Sequence, residues 1–193
     1  MGRPPRHDAD KLLDAAVTLA AQSGPASVTM TAVARAAAAP SGSVYHRFPD
    51  RSALLAALWL RTLERFQTGM VAALNTDPPQ QAAVDAARHV VEWSRRNPSE
   101  ARVLLHSATD FGASAWSESA RKSTAEAQAA LAVALCGLGR RLGASGSREL
   151  DKLVIAVVDL PYATVRRYLL SGKPIPAHAA RLVEQGTKAL LTH

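Results

Sequence analysis

The 193 residues carry 48% hydrophobic side chains but only 5% aromatics, with alanine supplying much of the apolar total. That content sustains a buried core and excludes wholesale disorder, and alanine's helix propensity favours closely packed helices over sheet. A net charge of +7 fits a polyanionic partner, but 8 Lys/Arg face 5 Asp/Glu in residues 1–65 and 15 face 11 thereafter, so charge alone locates no nucleic-acid face. The lone Cys136 excludes an intramolecular disulfide framework and suits a reducing cytoplasm. No apolar run approaches the ~20 residues of a membrane span. The opening MGRPPRHDAD also lacks the apolar centre of a signal peptide. A cytoplasmic protein without a membrane partner is expected.

Helical spacing dominates, and no segment alternates as a strand would. The first helix is expected over about 8–22, capped by Asp8, with Leu12, Leu13, Ala16, Leu19 and Ala20 as its apolar stripe and Gly24-Pro25 as its stop. A short helix follows at about 31–37, with Thr29 and Thr31 competing as its cap. A second short one opens at Pro40 and reaches about Arg47. Asp50 is placed to cap a long helix whose stripe runs Leu54, Leu55, Leu58, Thr62, Phe66, Met70.

Residues 75–79 read as the domain boundary. The expected domains are 1–50, a connecting helix over 51–76, and 77–193. Helices are then expected at about 82–96, from Asn97-Pro98 with Glu100 completing a capping box, at 117–142 and at 148–171. Pro161 should kink the last of these by removing a backbone donor. A final helix carries Leu182, Val183, Gly186 and Leu190, which makes nine helices in an all-α chain.

The stretch from Ser27 to Leu54 is the informative one. Two short helices are joined by small residues, with Ala34 and Ala38 where the helices must approach closely. Val33, Ala37, Val44, Tyr45 and Phe48 complete a small core with Leu12, Leu13 and Leu19. The second short helix would present Ser41, Gly42, Ser43 and His46, short or polar groups able to enter a major groove. Thr29, Tyr45 and Arg51 are placed to meet phosphates. Arg3 and Arg6 fit an arm lying along DNA.

Thr29-x-x-x-Val33-Ala34-x-x-Ala37, followed by Pro40-Ser41-Gly42-Ser43-Val44-Tyr45-His46-Arg47-Phe48-Pro49-Asp50-Arg51 and Leu54, resembles the DNA-binding domain of TetR-family repressors. The match covers about residues 8–55, and the length and order of the later helices are similar too. The resemblance implies a nine-helix fold in which an N-terminal three-helix helix-turn-helix domain precedes a C-terminal helical ligand-binding and dimerisation domain. It implies a dimer built from the last two long helices, and a pocket whose occupant weakens DNA binding. Three positions depart from the family pattern. Ala38 stands where glycine is usual, Ala39 where a larger aliphatic is common, and Arg51 where lysine is usual. A left-handed backbone at Ala38 would cost alanine roughly 1 kcal/mol.

On this reading the partners are a double-stranded operator, a second copy of the chain and a largely apolar small-molecule effector. Dimer contacts are expected from Leu150, Leu153, Val157, Val165, Leu169, Leu182, Val183, Gly186 and Leu190. Pocket residues are expected among His89, Trp93, His106, Phe111, Trp116, Asp159 and Tyr162, apolar walls with a few polar anchors. The six histidines show no paired helical spacing, and no P-loop, dinucleotide fingerprint or nucleophile elbow occurs. No metal, cofactor or enzymatic activity is therefore expected, and a His106–Asp110 acid/base pair is the remaining enzymatic alternative.

Overall fold

The structure, a computed structural model, describes residues 5–192, with side chains from Ala9 onward. All regular structure among these residues is helical. The elements are α1 (Pro5–Ser23), α2 (Met30–Ala36), α3 (Ser41–Arg47), α4 (Arg51–Leu74), α5 (Pro79–Arg96), α6 (Pro98–Val103), α7 (Glu118–Arg141), α8 (Ser147–Val154), α9 (Leu160–Leu170) and α10 (His178–Leu191). A π-helical stretch, Ile155–Asp159, joins α8 to α9 without a break, so the described residues form nine helical rods. Helix α1 is already under way at Pro5, ahead of the Asp8 expected to cap it, because proline's fixed φ suits a first helical turn.

The chain divides into two compact units. One takes the chain up to Leu63 together with Ser99–Ala125, and the other takes Glu64–Pro98 together with the chain from Glu126 onward. Sequence reading keeps 77–193 in one piece, whereas compactness divides both α4 and α7 between units. The reason lies in the core of the first unit. Val103, Phe111 and Trp116 are buried in one cluster with Leu12, Val33, Val44, Leu54, Leu58 and Trp59, so the 99–125 segment completes the core that α1–α4 begin. Trp59 and Phe111 pack as a tilted pair, with ring centroids 5.2 Å apart and 43° between their planes.

In the second unit α5 is the central helix, packed by α9, α10 and the π-helical stretch. Half of its buried residues are alanine (Ala82, Ala83, Ala86, Ala87, beside Val84, Val90, Val91 and Ser94), which lets backbones approach closely. Gly186 serves the same end on α10: a Cβ there would lie 2.8 Å from Leu160 Cδ2.

The expected disruption at Pro161 takes the form of the π-helical turn. Leu160, whose N–H would close an α-helical bond to Ala156, donates instead to Ile155. The residue five beyond Ala156 is Pro161, which has no N–H to give. The buried Thr187 on α10 donates its hydroxyl to that Ala156 carbonyl at 2.9 Å. A side chain from another helix thus replaces the donor that proline lacks.

Candidate nucleic-acid interface

Thr29 supplies the start of the reader. Its Oγ1 accepts from Ala32 N at 3.1 Å and caps α2, and it also shares a 3.3 Å hydrogen bond with Thr31 Oγ1. Helix α2 then ends in a left-handed turn. Ala39 N donates to Ala34 O and Ala38 N to Arg35 O, the paired bonds of a Schellman motif, with Ala38 at φ +49°. The same pairing ends α7 at Gly143 and α9 at Gly172, where φ is +74° and +68°. Ala38 therefore holds a glycine conformation with a Cβ, alone in doing so among the described non-glycine residues. Ala38→Gly is expected to raise unfolding stability by about 0.5–1 kcal/mol, the left-handed penalty less glycine's extra chain entropy. Denaturant unfolding of both proteins checks this, and an unchanged or lower midpoint would count against strain at the turn.

Helix α3 sits on the head through Val44 and Phe48, both buried. Ser41, Gly42, Ser43, Tyr45, His46 and Arg47 are all exposed. Tyr45, read from sequence as both core and phosphate contact, is 53% exposed and takes no part in the core. Nothing lies within 4 Å of a Cβ built at Gly42. The protein's own packing thus makes no demand for glycine there, although glycine inside a helix costs about 0.5–1 kcal/mol relative to alanine. Arg47, not among the residues expected from sequence to meet DNA, is basic in the last turn of α3. Its exposure on α3 adds it to the candidate surface.

Asp50 caps α4 as expected, accepting from Ala53 N at 2.8 Å. Arg51 has internal partners that sequence does not reveal. Its Nε donates to Val28 O and a terminal nitrogen to Pro25 O, both at 2.7 Å, which ties α4 to the α1–α2 connection. Arg3 lies outside the described residues, and so does the side chain of Arg6.

The residues expected to line a pocket do not all share a unit. Phe111 and Trp116 are buried in the core of the first, where Trp116 Nε1 donates to Phe111 O at 3.0 Å and His106 meets Phe111 edge-on. His106 itself is exposed, 4.0 Å from Asp110. Asp110 accepts from Ser107 N and Oγ, and these bonds hold its carboxyl below the usual range. The pair is thereby bound up in a turn and is not set as an acid/base couple.

His89 and Trp93 belong to the second unit and pack on Phe66. His89 Nε2 lies 3.0 Å from Phe66 O, and Gly69 leaves the notch its ring occupies, since a Cβ there would approach Cε1 to 2.2 Å. Burial lowers the imidazole's pKa, against the smaller raising effect of the Phe66 carbonyl. Asp159 and Tyr162 are exposed on the π-helical stretch and α9.

The residues expected at a dimer contact divide as well. Leu153, Val157, Val165, Leu169 and Val183 are buried within the single chain. Gly186 faces Leu160 of its own chain, and Leu190 is partly buried. Large apolar side chains that remain exposed on α8–α10 are Leu150, Val154, Ile155, Tyr162, Leu170 and Leu182. Which apolar stripe of α9 and α10 turns inward depends on where α5 packs.

A short helix seated on a small core, preceded by a capped helix and a tight left-handed turn, defines a helix-turn-helix DNA-binding head. The family model for bacterial regulatory proteins of the tetR family matches residues 12–58. Over those residues the chain is similar to the DNA-binding head of tetR-family bacterial regulatory proteins. No curated protein sequence matches the chain closely enough to count as a relative.

Solved structures similar in fold include the fatty acid degradation regulator FadR from Bacillus halodurans (TM-score 0.73, 16% identity, 99% of this chain and 97% of that one). A TetR family transcription regulator from Marinobacter aquaeolei VT8 is similar to the same degree (TM-score 0.73, 16% identity, 96% and 95%). FadR from Bacillus subtilis, solved in complex with stearoyl-CoA, follows (TM-score 0.71, 15% identity, 95% and 97%). Among the described residues no helix is long and apolar enough to cross a membrane.

Proposed function

We propose that the protein is a homodimeric repressor that binds a palindromic operator and is released from it by a small-molecule effector. The observation that carries the reading is the exposed surface of α3, where six of seven residues face solvent around a buried Val44. Ser41, Ser43, His46 and Arg47 are its candidate base-edge contacts. Tyr45 and Thr29 offer hydroxyls to phosphate, and Gly42 admits the backbone to the duplex. Arg51 keeps a phosphate role only with the charge left over from its internal bonds.

The second copy covers the apolar side chains of α8–α10, and a two-fold axis then sets two readers about one helical turn of DNA apart. The effector binds in the region 77–193, with His89 and Trp93 as candidate contacts, and acts by favouring a dimer whose readers no longer fit together. The stearoyl-CoA held by a structure of similar fold favours an acyl chain with a polar head as the first class to screen. Packing of Phe111 and Trp116 in the head's own core favours a second reading, a DNA-binding dimer without an effector.

The test is an anisotropy titration against DNA flanking the protein's own coding region, with Tyr45→Ala and His46→Ala beside the wild type. Tight, salt-sensitive binding to a palindrome is expected, weakened about 5–150-fold by each substitution. Weak binding that ignores sequence and both substitutions would remove the reading. Release of bound DNA by acyl-CoA or another small molecule separates the two forms of it.

A further inference from the structure

The geometry points to a positioning device in the first unit: Arg51 and Arg61, ten residues apart on α4, brace the DNA-reading head at two points and fix its angle on that helix. The inference rests on the operator-binding reading above and says what sets the half-site spacing. Arg61 is only 12% exposed, and its guanidinium spans about one turn of α1, from Asp10 to Asp14. One terminal nitrogen donates to Asp10 O at 3.1 Å and to Asp10 Oδ1 at 3.3 Å, and the other to Asp14 Oδ1 at 2.7 Å. Arg51 holds the far end of the same head through Pro25 O and Val28 O.

Apolar contact between α1 and α4 is already supplied by Leu12, Leu13, Ala16, Leu54, Leu55 and Leu58, buried in one cluster. Such contact attracts but is non-directional, so it tolerates sliding and rocking. A guanidinium fork on fixed acceptors does not. At 1.5 Å per residue the two braces stand about 15 Å apart along α4, so a 1 Å slip at either one turns the head by about 4°. One brace would leave a pivot, whereas two remove it, so α3 follows residues 51–63 of α4 as one body within the first unit.

The pairs with Asp10 and Asp14 are exposed on the carboxylate side (54% and 62%), so their share of stability is small. That separates a positioning role from a structural one. The experiment compares wild type, Arg61→Gln and Arg61→Lys on the palindrome found by titration, on the same site with one base pair inserted or removed at its centre, and on a single half-site. The wild type is expected to lose at least about tenfold in affinity when the spacing changes. Arg61→Gln should reduce that discrimination at least threefold, with half-site affinity within twofold of wild type. Arg61→Lys, which keeps the charge but not the fork, should fall between.

Discrimination equal to wild type in both folded variants overturns the brace. So does a loss that is uniform over all DNAs and tracks thermal stability, since that is a structural role. A wild type that binds no palindrome at all overturns the operator reading itself, and it is seen before any variant is compared.

Discussion

In the proposed homodimer, Ile155→Arg should give a monomer and weaken binding to the proposed operator about 100-fold or more. Ile155 is 46% exposed on the π-helical stretch between α8 and α9, flanked along the same rod by exposed Leu150, Val154, Tyr162 and Leu170. Apolar side chains this large, grouped on one rod, mark a surface that another protein covers. An arginine placed there remains hydrated in the monomer and costs its fold little. In a dimer the same charge would be buried against apolar groups without a partner. Once the copies separate, each half-site is bound alone, and the effective concentration that links them is gone.

The mass is read by sedimentation or light scattering, helicity by circular dichroism, and affinity by titration. A variant that remains dimeric with wild-type affinity would place the two-fold contact elsewhere. Val154→Arg, at a neighbouring site 41% exposed, is expected to behave the same way.

Thr187→Val should cost about 1–3 kcal/mol of unfolding stability, a large effect for an exchange of near-equal volume. The hydroxyl is fully buried and is the donor that reaches Ala156 O, a carbonyl left open when Leu160 bonds to Ile155 and Pro161 offers no N–H. Valine fills the same space and leaves that carbonyl desolvated with no donor. Thr187→Ser keeps the bond and removes one methyl, so its loss should be the smaller of the two. Denaturant midpoints at one protein concentration decide the order, because association also contributes to apparent stability. A serine variant less stable than the valine variant would mean that packing, and not the hydrogen bond, is what Thr187 supplies.

Local chemistry carried much of this protein into view from its sequence. Helix spacing, the cap at Asp50 and the helix ends near 142 and 171 are decided by neighbours a few residues away and were legible, while Thr29 and Thr31 stayed in competition until the structure chose Thr29. The same holds for the reader: Val44 and Phe48 inside, Ser41 to Ser43 and His46 outside, follows from the period of one short helix on one small core. The left-handed backbone at Ala38 was foreseeable because the family's glycine marks it.

What only the tertiary structure decided involves partners distant in the chain. Residues 99–125 join the head because Phe111 and Trp116 bury beside Trp59, and no spacing rule links positions fifty apart. Arg51 and Arg61 read as surface cations until the carbonyls and carboxylates of α1 and its following turn come within reach. On α8–α10 an apolar residue is apolar whether it meets α5 or a second copy. Sequence therefore marked those helices as adhesive, and packing against α5 determined which side remained open.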